Sequence, residues 1–252
     1  PMGGPVMTMD FSPLARLGKI DFYLLRHGKS EGNHRDIVQG RLDSPLSDEG
    51  RRQAALTGRL LAERGIRFTL CTPLARGRET AELVCREAGL TTPRPTPDLI
   101  EMDTGVYTGL TLEEARKRSP EAWVRFLQLS WDGVEGAESS VALRRRAEAV
   151  WADLIAGAAA AAKEGALPGG GSGAGESGSG DPAGSGPAKP FGVLAVAHAG
   201  ILQWLIKAVS GEVSWFPLFP MGHCGLYHLS VDGTVIRWEK LNFQAPGVTG
   251  RR

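Results

Sequence analysis

The sequence predicts an α/β fold: a single three-layer domain with a mostly parallel central sheet and helices on both faces. Three observations predict it. Residues 20–25, apart from Asp21, and 191–197 are apolar runs, the pattern of strands buried on both faces of a parallel sheet. Helical patterns with recognisable start and stop residues alternate with the strand-like runs. The length of 252 residues and the 42% hydrophobic content suit one core of this class.

The elements follow in order. Residues 1–18 carry Met7, Met9 and two prolines beyond Pro1 with little pattern, and are expected to form a flexible tail. The domain is expected to span 19–243, with a second tail at 244–252. The run 20–25 feeds a loop that begins Arg26-His27-Gly28. Ser47 caps a helix to about residue 64, with Asp48 and Glu49 in its first turn and Gly65 as its stop. A strand at 68–72 meets Pro73, which suits the start of a helix at 74–88 that Gly89 ends. Thr111-Leu112-Glu113-Glu114 reads as a capping box opening a short helix. Pro120 starts another to about residue 129, and Ser140 caps a longer one to about residue 163. Between 165 and 190 the composition collapses to glycine, serine, alanine and proline, too little apolar area to offset ordering entropy. Strands on both sides are needed for one sheet, so this stretch is expected to be a surface insertion within the domain. A helix at 201–209 packs through Ile201, Leu205 and Val209. Strands at 225–231 and 234–240 flank Asp232-Gly233, a hairpin signal.

The chemistry gathers where strands end, which is where ligands bind in open α/β sheets. Arg26 offers a planar fork for phosphate. His27 offers an imidazole that can be neutral and nucleophilic near pH 7. The second apolar run ends in Ala197-His198-Ala199-Gly200, so parallel pairing of the two runs would bring His27 and His198 to one edge. Arg76 falls in the first turn of a helix, where anions are already favoured. Glu101 follows Leu99-Ile100 and precedes Gly105 and Gly109. A partly desolvated carboxyl there could act as a general acid, with Asp103 as its rival.

These stretches resemble the histidine phosphatase superfamily, in its phosphoglycerate-mutase-like branch. The resemblance is carried by Arg26-His27-Gly28 with Asn33, Gln39-Gly40-Arg41 with Asp43, Thr72-Pro73-Leu74 with Arg76, Glu101 with its glycines, Gly136-Ala137-Glu138-Ser139, and Val196-Ala197-His198-Ala199-Gly200. It implies that His27 is the nucleophile and becomes a phosphohistidine. It implies that Arg26, Arg76 and His198 surround the phosphoryl group, with Ala199 beside it. By the same resemblance Asn33, Gln39 and Gly40 help hold substrate or phosphate, and Glu101 protonates the leaving oxygen and then activates water. Phosphoryl transfer asks mainly for positioning and charge stabilisation, which two guanidinium groups and a protonated second imidazole could supply without a metal. The chain departs from the family pattern at Lys29, where an acid is common. It departs again at Gly77, where alanine is usual, and at Cys71-Thr72, where serines are frequent.

Two features favour a phosphatase over a mutase. The mutase pattern has an arginine after its acid, and this chain has Met102, which cannot clamp a carboxylate. Residues 119–135 hold only Arg125 as a cation, where mutases carry a long basic insertion. The expected activity is a metal-independent phosphomonoesterase, with a cofactor-dependent mutase or a non-catalytic interaction protein on the same scaffold as alternatives. The expected partner is a small phosphorylated substrate, with no metal or other cofactor. A net charge of +1 gives no bulk attraction to nucleic acid or a membrane, and no apolar run approaches the roughly 20 residues that span a bilayer. The basic triplet Arg144-Arg145-Arg146 reads as a solvated helix face. Four tryptophans, Trp123, Trp131, Trp204 and Trp215, read as core or cap packing, with 215–219 a candidate roof over the site. Cys71, Cys85 and Cys224 cannot all pair, and their spacing gives no zinc motif, so a cytoplasmic or other reducing compartment is expected. A targeting segment upstream of Pro1 stays open, as does the oligomeric state.

Overall fold

The computed structural model describes residues 9–166 and 191–248. A six-stranded sheet lies at the centre. In chain order the elements are β1 (Ile20–Arg26), α1 (Glu31–His34), α2 (Asp48–Leu61), β2 (Ile66–Cys71), α3 (Ala75–Ala88) and β3 (Arg94–Pro95). Then come α4 (Leu112–Arg118), α5 (Pro120–Leu129), α6 (Ser140–Ala166), β4 (Phe191–Ala197), α7 (Ala199–Ser210), β5 (Leu226–Asp232) and β6 (Val235–Phe243). The strand order is β3-β2-β4-β1-β5-β6. The first four strands are parallel, and the β5–β6 hairpin adds an antiparallel edge.

The apolar runs explain the layers. Every residue of β4 is buried, as a strand covered on both faces must be. On one face Tyr23, Leu25, Leu194 and Val196 pack against Ala54 and Leu61 of α2 and Ala81 and Val84 of α3. On the other, Phe22, Leu24, Val193 and Ala195 meet the stripe Leu143, Ala147, Val150, Trp151 and Leu154 of α6, with Ile201 and Trp204 of α7. That spacing of three and four is the buried stripe of a surface helix. A smaller cluster of Tyr107, Ala115, Trp123, Phe126, Trp131 and Val134 forms a cap around α4 and α5. Among the described residues no helix is long and apolar enough to cross a membrane.

Local capping is as the sequence implies. The Ser47 hydroxyl accepts from the Gly50 N–H at 3.2 Å. Thr111 and Glu114 form both halves of a capping box. Gly89 and Gly211, both left-handed, close α3 and α7. Two details differ. The hydroxyl that caps α6 belongs to Ser139, which accepts from Ala142 at 3.2 Å, not to Ser140. The hairpin turn is Gly233-Thr234, because Asp232 already pairs with Val235.

The domain boundaries also need correction. The expected N-terminal tail is part of the core from Phe11 onward. Phe11 and Leu14 are 5% and 1% exposed, and Phe11 sits edge-on to Trp151 at 5.5 Å and to Phe22 at 6.1 Å. The chain turns there through a short 3-10 helix, Ser12–Leu14. At the other end the domain continues past 243, since Ala245 and Val248 are buried beside α2 and β5. The glycine-rich insertion expected at 165–190 lies outside the described residues apart from the end of α6. Its flanks, α6 and β4, belong to the one domain.

Phe11→Ala should therefore destabilise the protein by about 3 kcal/mol, as for other buried aromatic truncations. Chemical denaturation measures it. A loss below about 0.5 kcal/mol, the range of exposed positions, would return Phe11 to a loose tail.

Candidate active site

The register of β1 and β4 builds the site. Arg26 pairs with Ala197, so His27 and His198 follow side by side at the carboxyl ends of adjacent parallel strands. Their ring centres are 5.0 Å apart, and they are 3% and 0% exposed. Arg76 enters from the first turn of α3 and is itself buried. Its Nε donates to His27 Nε2 at 3.3 Å, and its other nitrogens donate to the carbonyls of Leu42 at 2.7 Å and Gly40 at 2.8 Å. Arg26 donates to the Met221 carbonyl. Asp43 accepts from the Ala75 N–H at 2.8 Å, capping α3 from a distant loop.

A hydrogen bond sets the tautomer of His27. His27 Nδ1 lies 2.6 Å from the Gly28 carbonyl, which can only accept. The proton is therefore on Nδ1, and Nε2 carries the lone pair. Thr72 Oγ1 accepts from the Leu74 N–H at 3.3 Å and lies 2.9 Å from His198 Nε2. That hydroxyl can donate to the His198 nitrogen or accept from it, and His198 Nδ1 is buried with no partner among the described residues. Burial holds the pKa of His27 well below its usual 6.5, with His198, Arg26 and Arg76 adding to the effect. Burial, then Arg76, Arg26 and Arg146, does the same to His198. The second imidazole was expected to be protonated. The structure makes it neutral instead, since burial and the nearby guanidinium groups disfavour its cation.

The acid loop is held from below. Glu101 accepts from the N–H groups of Met102 at 2.8 Å, Ile201 at 3.1 Å and Gly200 at 3.2 Å. Its carboxylate thus lies on the N-terminus of α7, where negative charge is favoured. Gly200 leaves room there, because a Cβ would press on Glu101 Oε1 and the Met102 side chain. Asp103 faces elsewhere, accepting from Gly105 at 2.9 Å and lying 3.7 Å from Arg41. The basic triplet on α6 is not simply a solvated face. Arg146 is only 11% exposed, grips Glu138 with two nitrogens at 2.9 and 2.7 Å, and donates to the carbonyls of Asp98 and Ile100. The ion pair locks the loop on which Glu101 sits.

The remaining expected residues are also nearby. Asn33 Oδ1 is taken up by the Ser30 N–H and hydroxyl, at 3.1 and 2.8 Å. Gln39 Oε1 accepts from the Ser44 hydroxyl at 2.7 Å and lies 3.1 Å from the Ser30 oxygen, which ties the loop. Gly40 contributes its carbonyl to Arg76. Lys29 is paired with Glu49 at 2.9 Å and is not on the cavity wall. A cavity of about 400 Å³ opens above Arg26, His27 and Arg76, and Asn33, Gln39, Gly40, Glu101, Ala199 and Gly200 line it. Sequence reasoning missed several groups of its wall, Ile37, Val38, Thr104 and Gln203 among them. Trp131 reaches it from the cap, and Met221 from the segment before β5. The expected roof is present as Trp215, Leu218 and Phe219.

Residues 22–162 match the histidine phosphatase superfamily (branch 1). The chain belongs to that superfamily. His198 lies beyond the matched segment and reaches the site through β4. A 2,3-bisphosphoglycerate-dependent phosphoglycerate mutase of Azorhizobium caulinodans is 36% identical over 127 residues, covering 47% of this chain and 62% of the mutase. A phosphoglycerate mutase-like protein of Arabidopsis thaliana is 35% identical over 107 residues, covering 42% of this chain and 46% of its own. The chain thus spans less than two thirds of these relatives. A mycobacterial glucosyl-3-phosphoglycerate phosphatase, solved in complex with VO3, superposes with a TM-score of 0.68 at 25% identity, over 88% of this chain and 98% of that one. The superfamily neighbours therefore include both phosphatases and mutases.

Two departures from the superfamily pattern compensate each other. A Cβ at Gly77 would collide with the Thr72 methyl. Threonine in place of serine at 72 fills the space that alanine in place of glycine at 77 would need.

Glu138→Ala should cost about 3 kcal/mol or more, because Arg146 would be left buried without its counter-ion. It should also lower kcat by loosening the acid loop. Equal stability of the variant and the parent on denaturation would contradict the pairing.

Proposed function

We propose that this protein is a metal-independent phosphomonoesterase that hydrolyses a small phosphoester through a phosphohistidine on His27. The observation that carries the reading is the His27 lone pair. The Gly28 carbonyl holds the proton on Nδ1, so Nε2 is neutral and unprotonated beside Arg76 at the base of the cavity.

The chemistry follows from those positions. Nε2 attacks phosphorus as the P–O bond to the leaving group breaks. Arg26, Arg76 and His198 surround the equatorial oxygens and take up their charge. Glu101 gives a proton to the departing oxygen, which leaves as an alcohol. Water then attacks the phosphohistidine, Glu101 takes its proton, and inorganic phosphate leaves with His27 restored. Ala199 and Asn33 border the phosphoryl position, and Asn33 retains its amide N–H groups for substrate. A cytoplasmic or other reducing setting fits three buried free thiols.

Hydrolysis is favoured over mutase transfer by Met102, which lines the cavity where a mutase would present an arginine, and by a cap with only Arg125 as a cation between 119 and 135. The similarity to the Azorhizobium mutase favours the second reading, phosphoryl return to a bound phosphoglycerate. Rapid quench with a labelled phosphomonoester should trap acid-labile, base-stable label on His27. His27→Ala should abolish the label and lower kcat/KM by about 10³-fold or more. Glu101→Gln should slow an alkyl phosphate by about 10²-fold and 4-nitrophenyl phosphate far less, since that leaving group needs little protonation. Label surviving in His27→Ala would overturn the nucleophile. With 3-phosphoglycerate and its bisphosphorylated primer, phosphate release should outpace isomerisation, and the reverse would promote the mutase.

A further inference from the structure

We propose that the substrate is the phosphomonoester of an uncharged, apolar alcohol, aromatic or alkyl, and not of a carboxylated or otherwise anionic one. The inference rests on the phosphatase reading above and concerns the part of the cavity that receives the leaving group.

The wall above the phosphoryl position is built by Met102, Trp131, Trp215, Leu218, Phe219 and Met221. The cavity is lined by two cations, Arg26 and Arg76. Both are at its base, and their remaining hydrogen bonds go to carbonyls of Met221, Gly40 and Leu42. The polar groups on the wall are mostly engaged within the protein. Gln203 accepts from the Phe219 N–H at 2.8 Å and donates to the Phe219 carbonyl. Thr104 bonds Thr108 at 2.7 Å. Among the described residues Glu101 is the anion on the wall, and it repels a second carboxylate. A carboxylated leaving group would lose its hydration against indole, thioether and phenyl groups and gain no cation in return.

The apolar wall is firmly built. Trp204 and Trp215 meet edge-to-face at 5.1 Å. Lys207, fully buried on α7, donates to the Pro217 carbonyl at 2.8 Å and lies 5.4 Å from the Phe219 ring centre. Its charge is spent on holding the roof and does not reach the cavity. The apolar surface continues outward through Leu218 and Phe216, each 55% exposed. A flat ring or alkyl chain extending from the phosphate would remain in apolar contact well past the reacting atoms, and each buried methylene-sized piece adds to transition-state binding.

The test compares 2-naphthyl phosphate with 6-carboxy-2-naphthyl phosphate, which differ by a distant carboxylate. The wild-type protein should show kcat/KM at least roughly tenfold higher for the uncharged ester. Leu218→Arg, at an exposed position where the fold tolerates charge, should shrink or invert that ratio by placing a cation on the wall. Equal or faster turnover of the carboxylated ester by the wild type would overturn the proposal, and so would a ratio that Leu218→Arg leaves unmoved. Acetyl phosphate is run in parallel with trapping of label on His27. Labelling by acetyl phosphate with no turnover of either naphthyl ester overturns the apolar-substrate proposal alone. Failure of acetyl phosphate to label His27 overturns the phosphohistidine reading on which it rests.

Discussion

Two buried guanidinium groups govern this structure. Arg76 is 1% exposed, and Arg26 is a partly covered strand-end residue whose charge is also screened from water. An arginine does not lose its proton in a protein, so each must find acceptors. Arg76 finds the carbonyls of Gly40 and Leu42 and the lone pair of His27. Arg26 finds the carbonyl of Met221. Those bonds fix the two loops that rim the cavity. The same charges, together with burial, hold His27 and His198 neutral. Arg26 Nε and His198 Nδ1 remain buried without partners among the described residues. Buried polar atoms without partners are costly.

Everything else positions this cluster. The parallel register of β1 and β4 sets His27 beside His198. The N-terminus of α7 holds Glu101, and the Arg146–Glu138 pair holds the loop that carries it. The roof is tied to α7 by Gln203 and Lys207. In the proposed reaction the reacting groups come from the sheet and its helix ends, while the apolar wall comes from the cap, the Glu101 loop and the segment before β5.

The sequence carried the parts of this that are local. The strands β1 and β4 were legible because an apolar run long enough for a strand is a property of neighbours in the chain. Ser47, Thr111 and Gly89 were legible because caps act over three or four residues. Phe11 and Leu14 were not, since a short stretch with Pro13 between them has no period to read. Arg146 was not, because three consecutive arginines on a helix differ only in which one the Glu101 loop covers, and that is decided by tertiary packing. Trp131 was read as packing, and it does pack, but a ring can also turn one face to a cavity. The link between Gly77 and Thr72 needed coordinates, since nothing in the sequence relates two unusual residues five apart.

The central claim is that His27 stays a neutral imidazole with its proton on Nδ1. Nitrogen NMR of the histidine rings, followed from about pH 8 to about pH 5, tests it most directly. The account predicts that His27 keeps a protonated Nδ1 and a bare Nε2 throughout, because burial and the nearby Arg26 and Arg76 disfavour its cation. Titration of His27 with a midpoint at or above about 6.5, or a proton found on Nε2, would contradict it.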